Sequence, residues 1–250
     1  MSSYILETSG LTREFSGFVA VNDVALRVRE GQIAALIGPN GAGKTTCFNL
    51  LTKFLQPTSG TIRFKGADIT GLEPAQVARL GIGRSFQISA VFSGMTALEN
   101  VRLALQRKRG DSYDFWTSTR QLRRYDERAL ALLHDVGLER WARTPAARLP
   151  YGRKRALEIA TTLALDPELL LLDEPTAGMT PEDIERVVAL IRRLRTGRTI
   201  LMVEHNLPVV AGLCDHVTVM TRGTILAEGD YASVAANPEV IAAYLGSDDA

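Results

Sequence analysis

Three separated stretches of this 250-residue chain carry side chains suited to phosphate chemistry. Residues 38–46, Gly-Pro-Asn-Gly-Ala-Gly-Lys-Thr-Thr, fit the spacing G-x-x-x-x-G-K-[ST] at every fixed position. Gly38, Asn40, Gly41, Ala42 and Gly43 would turn backbone N–H groups inward around phosphate oxygens. Lys44 would reach β- and γ-phosphates as a point charge, and Thr45, followed by Thr46, would offer a hydroxyl to Mg²⁺. Asp173 and Glu174 end an apolar run. An acid there can hold Mg²⁺ directly or through water, and its neighbour can orient or deprotonate an attacking water. Taken alone, the pair reads equally well as a strand end followed by a helix cap. Beside the glycine-rich loop, the catalytic reading prevails. His205 could donate to a γ-phosphate, although a single histidine after a strand is also an ordinary loop residue. His134 and His216 lie in periodic apolar surroundings and read as structural.

Each stretch needs an element to hold it. Residues 33–37, Ile-Ala-Ala-Leu-Ile, form a short unbroken apolar run, the mark of a strand buried on both faces. A helical pattern follows the loop at Phe48, Leu50, Leu51, Phe54 and Leu55. Residues 169–172 and 199–203 repeat the buried-strand pattern with a helical segment, 182–195, between them. That makes a βαβ unit and implies a parallel sheet. Open sheets of this kind bind ligands at the carboxyl ends of their strands, where all three stretches fall. Ahead of them, 4–7 and 24–28 partly alternate, as half-buried strands do, with Gly10 and the turn signal Ser16-Gly17 between. Residues 95–148 differ: the pattern is helical, and basic residues are dense at 107–109 and at Arg120, Arg123 and Arg124. Such a charge run is either a solvated helix face or a contact for a partner or lipid headgroups.

Composition narrows the class. Hydrophobic residues are 46% and charged residues 23%, which excludes collagen-like, disordered and disulfide-scaffold chains. Lys and Arg number 29 against 28 Asp and Glu, so no global field draws the chain to nucleic acid or anionic lipid. Cys47 and Cys214 stand in no zinc or C-x-x-C spacing, which suits a reducing compartment. Cys47, one turn into the helix after the loop, reads as a packing residue that could be modified only when the site is empty. No apolar run approaches the roughly 18–20 residues of a membrane helix. A cytosolic protein is expected, with any membrane role reached through a partner.

Taken together, the glycine-rich loop, the Leu-Leu-Leu-Leu-Asp-Glu-Pro run at 169–175 and Val203-Glu204-His205 resemble the ATP-binding subunit of ABC transporters. The resemblance covers practically the whole chain. It implies an α/β fold: a P-loop NTPase core with a parallel sheet, an N-terminal antiparallel β-subdomain and an inserted α-helical subdomain. The core would comprise 1–94 and 149–250, and the insertion 95–148. ATP and Mg²⁺ are the implied cofactors. Glu174, His205 and Gln87 are the implied catalytic residues, with Thr45, Gln87 and Asp173 around the metal. Gln87, in Gly83-Arg-Ser-Phe-Gln87, matches the family's Q-loop. Phe15 stands where the family stacks an aromatic on adenine, although by spacing alone it reads as core.

Departures refine the expectation. The usual signature Leu-Ser-Gly-Gly-Gln reads Leu149-Pro150-Tyr151-Gly152-Arg153. Pro150 lacks both a hydroxyl and an N–H, so phosphate binding by that face falls to Gly152, the following helix N-terminus and Arg153. The D-loop reads Ala177-Gly178-Met179-Thr180 and lacks its carboxylate. Leu149-x-Tyr151-Gly152 and the closing residues 238–246 resemble the branched-chain amino acid uptake subgroup. That resemblance implies integral-membrane permease subunits, a second ATPase subunit (a non-identical homologue or another copy) and, indirectly, a periplasmic solute-binding protein. No nucleic-acid partner is expected. The location implied is peripheral, on the cytoplasmic face of the inner membrane. Lipopolysaccharide export and nucleotide binding without hydrolysis are the competing functions. Ile88, Val91 and Phe92, apolar residues in a segment without clear period, read either as a permease contact or as a seal on the subdomain boundary.

Overall fold

The computed structural model describes residues 4–85, 91–108 and 124–245. The chain opens with β1 (Tyr4–Phe15), β2 (Phe18–Val24) and β3 (Arg27–Arg29). Next come β4 (Ile33–Ile37), α1 (Lys44–Leu51), β5 (Ser59–Phe64), β6 (Ala67–Asp68), α2 (Pro74–Leu80) and β7 (Ile82–Ser85). β1 pairs antiparallel with β2, β3 and β5, and β5 with β6. The strand β1 continues through Gly10. Gly10 takes φ 62° within β1, where the register with β5 shifts between Ser9 and Thr12 and that with β2 shifts just beyond, from Leu11 to Glu14. A Cβ on Gly60 of β5 would lie 2.3 Å from the Gly10 carbonyl oxygen, so the strands close only because that position has no side chain. The chain reverses at Ser16-Gly17, as its turn residues require.

The helical segment supplies α3 (Ala97–Lys108), α4 (Asp126–Asp135) and two short 3₁₀ turns, followed by α5 (Tyr151–Leu163). Then follow β8 (Leu169–Asp173), α6 (Pro181–Leu194), β9 (Thr199–Val203), α7 (Leu207–Leu213), β10 (His216–Thr221), β11 (Thr224–Gly229), α8 (Tyr231–Ala235) and α9 (Pro238–Leu245). The second sheet runs β11-β10-β4-β9-β8-β7; its pairs are parallel except β10 with β11. Every residue of β4, β8 and β9 is buried. Their side chains alternate between two cores. Ile33, Ile37, Leu170, Leu172, Ile200 and Met202 face one, while Leu36, Leu169, Leu171, Leu201 and Val203 face the other. Burial from both sides is why these strands read as unbroken apolar runs. Each such aliphatic side chain stabilises the fold by about 1.5–3 kcal/mol relative to exposure.

Register levels the strand ends. Leu36 pairs with Val203 and Val203 with Asp173, so the loops leaving β4, β8 and β9 emerge side by side. The helices α3 and α4 join the first core through Val101, Leu132 and Leu133, which pack in one cluster with Leu157 of α5. Residues that close the helical segment return to its start: Ala97 N donates to Thr144 O and Ala146 N to Met95 O. Gln87 and Ile88 lie outside the described residues, and of the basic side chains only Arg124 falls within them, its guanidinium 5.0 Å from the Tyr125 ring. Among the described residues no helix is long and apolar enough to cross a membrane.

Candidate active site

The loop between β4 and α1 is shaped by backbone approaching it from two sides. A Cβ on Gly38 would lie 2.1 Å from Met220 O, and one on Gly43 would lie 2.5 Å from Ala20 O. Gly43, at φ 98°, is also the N-cap of α1. The result is a cleft of about 320 Å³ lined by Asn40, Gly41, Ala42, Gly43, Lys44, Thr45 and Thr46, with Phe18, Ala20, Glu174 and His205. Backbone N–H groups at the start of an eight-residue helix give that cleft an anion-binding wall.

Lys44 is 6% exposed, and its Nζ donates to Gly38 O at 2.7 Å and Pro39 O at 2.8 Å. Desolvation pulls its pKa below the usual lysine value, and the Glu174 carboxylate opposes the shift. The cation is thus held inside its own loop, next to the wall that would receive a polyphosphate.

Asp173 ends β8 at 2% exposure. Its Oδ2 accepts from Arg84 Nη2 at 2.6 Å, a pair with side chains 2% and 7% exposed. Arg84 also donates from Nη1 to Asn49 Oδ1 at 2.6 Å, tying β7 and the Asp173 strand end to α1. The other oxygen, Asp173 Oδ1, is buried without a hydrogen-bond partner among the described residues. A buried carboxylate oxygen left unsatisfied needs a reason. The oxygen chemistry of Asp173, with the Thr45 hydroxyl lining the cleft, fits Mg²⁺, a hard cation that takes few protein ligands and shares the rest with phosphate and water.

Glu174 takes φ 47°, an unusual left-handed conformation for a non-glycine residue, and its N–H donates to Val203 O. The turn sends its side chain into the cleft. There Oε1 lies 2.8 Å from His205 Nε2. A carboxylate can only accept, so in this pair Nε2 carries the proton. The neighbouring Glu204 points the other way and is 3% exposed, bonded to both strand-end loops.

Other expected residues stand elsewhere. Phe15 is 39% exposed at the end of β1, capped by Arg13 at 4.5 Å, and pairs across the hairpin with Phe18. Phe18 lines the cleft and Phe15 does not. Gly152 and Arg153 begin α5, outside this cleft. A Cβ on Gly152 would meet the Asp183 carboxylate at 2.8 Å, and Arg153 Nη1 donates to Gly137 O at 3.1 Å. Pro150 is the N-cap of α5 without a side-chain cap bond. Phe92 is 56% exposed, which removes the core reading for it, whereas Val91 packs against the first core. Cys47 is fully buried and its thiol is pushed up to about 12, so the modification considered for it has no accessible thiolate. The sequence assigns no role of their own to Phe18, Arg84 or Glu204. The one legible signal was a lone arginine in an otherwise small or apolar strand, Ile82-Gly83-Arg84-Ser85.

The profile of the ABC transporter family matches residues 21–177, and that of the branched-chain amino acid ATP-binding cassette transporter matches residues 224–250. The chain belongs to the ABC transporter family and is one of its P-loop ATPases. It is 43% identical to the high-affinity branched-chain amino acid transport ATP-binding protein BraF of Pseudomonas aeruginosa, covering 98% of this chain and 99% of that one. Identity to LivG of Escherichia coli, of the same description, is 41% with the same coverage. Among solved structures, an ATP-binding cassette of an ABC transporter in its ADP conformation superposes with TM-score 0.85 at 31% identity, covering 98% of this chain and 100% of that one. A dimeric cassette in a post-hydrolysis state with ADP and Pi superposes with TM-score 0.76 at 25% identity, covering 90% of this chain and 98% of that one.

Proposed function

We propose that this ATPase powers import of branched-chain amino acids or related small solutes, working on the cytoplasmic face of the inner membrane. The relatives named for that transport span both chains almost end to end, and the C-terminal profile supports the same subgroup. They favour import over lipopolysaccharide export. Glu174 hydrogen-bonded to His205 inside the phosphate cleft is the observation that carries hydrolysis, as opposed to nucleotide binding alone.

Each residue then has a task. Lys44 leaves its loop carbonyls for β- and γ-phosphate oxygens, whose charge exceeds that of two carbonyl dipoles. Backbone N–H groups of 41–46 would hold the remaining phosphate oxygens, and the hydroxyl of Thr45 with the Asp173 carboxylate would hold Mg²⁺. Bound there, the ion would supply neutralisation of charge on the transferring phosphoryl group. Glu174 orients the attacking water and takes its proton, while His205 fixes the carboxylate. Gln87 joins this set as the residue that senses the γ-phosphate. Phe18, or Phe15 across the hairpin, supplies a face for adenine.

Gly152 and Arg153 stand apart from this cleft, which supports a head-to-tail dimer in which each signature face closes the other subunit's site. The second subunit is a non-identical homologue or another copy. Residues 95–148 act as a helical subdomain between the ATPase core and the permease. Asn100, buried at 3%, holds Phe92 by both its N–H and its C=O, and the exposed ring on that held backbone supports a permease contact. A periplasmic solute-binding protein enters only through the permease. Reconstitution of this chain with its permease and partner ATPase tests the reading. ATP-dependent uptake of labelled leucine or a related solute is expected, and ATP hydrolysis with no uptake of any amino acid would contradict it.

A further inference from the structure

Glu204 is a charged residue at 3% exposure that takes no part in the chemistry just described, and its carboxylate gathers four hydrogen bonds. Oε1 accepts from the backbone N–H of Thr176 at 3.0 Å and from the Thr176 hydroxyl. Oε2 accepts from the backbone N–H of His205 at 2.8 Å and of Asn206 at 3.0 Å. Thr176, itself buried, lies two residues after Glu174 in the loop leaving β8. His205 and Asn206 lie in the loop leaving the neighbouring strand, β9. One buried carboxylate therefore clasps the two loops that present Glu174 and His205 to each other at 2.8 Å.

We infer that Glu204 is a positioning residue for hydrolysis, setting the distance between Glu174 and His205 by tying their backbones together. The chemistry demands a carboxylate. Four donors converge from two directions, and only a group with two acceptor oxygens and no hydrogen satisfies both pairs. An amide of the same shape serves one loop and turns an NH₂ toward the donors of the other. The buried charge is offset by its donors, and hydrogen bonds to an ionised group are the strong ones. Such a clamp acts on the reaction and not on nucleotide affinity, because Glu204 lines no part of the phosphate cleft.

The inference rests on the catalytic reading of Glu174 and His205, and the test separates the two. Steady-state hydrolysis and ATP affinity would be measured for Glu204→Gln, Glu204→Asp, His205→Ala and the double variant His205→Ala with Glu204→Gln. Glu204→Gln is expected to bind ATP within about threefold of wild type while kcat falls by up to ~10²-fold, the scale of a small misplacement of catalytic groups. Glu204→Asp, which keeps both oxygens on a shorter stem, should recover part of kcat. The double variant should be no slower than His205→Ala alone, since the clamp acts through His205. If His205→Ala hydrolyses ATP normally, the catalytic reading fails. If His205→Ala is slow but Glu204→Gln is not, or if the two losses multiply, the positioning role fails alone. Loss of ATP binding or of the folded state in both Glu204 variants would assign the residue to structure and overturn the proposal.

Discussion

His205 Nε2 lies 2.8 Å from Glu174 Oε1, a hydrogen bond between the loops leaving two adjacent parallel strands. Glu174→Gln keeps the size of the side chain and removes the proton acceptor. ATP affinity should stay near wild type while turnover falls by ~10²–10⁴-fold, the usual loss for a positioned general base. Nucleotide titration alongside a phosphate-release assay separates the two. Wild-type turnover in the variant would show that Glu174 is not the base.

Arg84 pairs with Asp173 at 2.6 Å where both side chains are almost fully buried. Arg84→Met would leave the carboxylate buried without its counter-charge, a change that typically costs about 3–5 kcal/mol. Thermal unfolding is the check. In a chain of this size the midpoint should drop by roughly 2–4 °C for each kcal/mol lost. An unchanged midpoint would mean that the pair adds nothing to the strand end.

Lys53 follows α1 at φ 62°, 2% exposed, and its Nζ has no hydrogen-bond partner among the described residues. Burial lowers its pKa, with Asp68 and Glu73 opposing. A non-glycine residue in the left-handed region costs roughly 1–2 kcal/mol, and the buried amine adds to that. Lys53→Gly removes both penalties, so its melting midpoint should rise. A fall would show that the attraction of Asp68 and Glu73 outweighs them. Sign follows the pKa. The folded state binds this proton more weakly than the unfolded chain, so the lysine's penalty is greatest at pH below its lowered folded pKa. It shrinks as pH rises toward 10.5, and with it the advantage of Lys53→Gly.

Phe92 projects into solvent from a backbone pinned by Asn100. Phe92→Ser should change stability by no more than about 0.5 kcal/mol, as surface substitutions do, and leave the ATP affinity of the isolated subunit unchanged. Co-purification with the permease should weaken, and hydrolysis in the assembled transporter should lose its dependence on solute. Normal assembly and coupling would remove Phe92 from the contact.

Much of the fold and half of the site were legible because their signals are local. The loop at 38–46 carries its chemistry in its spacing, and β4, β8 and β9 announce two-sided burial by unbroken apolar runs. The end of β1 was not legible. The alternating pattern covers only residues 4–7, yet tertiary pairing with β5 carries the strand on through Gly10. Phe18 carries no local signal, because an aromatic after Ser16-Gly17 is one hairpin residue among several, and only the fold brings it to the cleft. Arg84 and Glu204 are partners at a distance of 89 and 28 residues from the groups they hold, Asp173 and Thr176. No period or motif encodes such a pairing.

Under the proposed function, ATP is bound and hydrolysed at the loop 38–46, with Lys44 as its cation. The most direct measurement is the initial rate of phosphate release at saturating MgATP by purified wild type and Lys44→Ala, at equal concentrations verified as folded by circular dichroism. Loss of a preorganised charge from the transferring phosphoryl group should lower the rate by about 10²-fold or more, and chelation of Mg²⁺ should abolish the wild-type signal. Undiminished, Mg²⁺-dependent phosphate release by Lys44→Ala would contradict the claim.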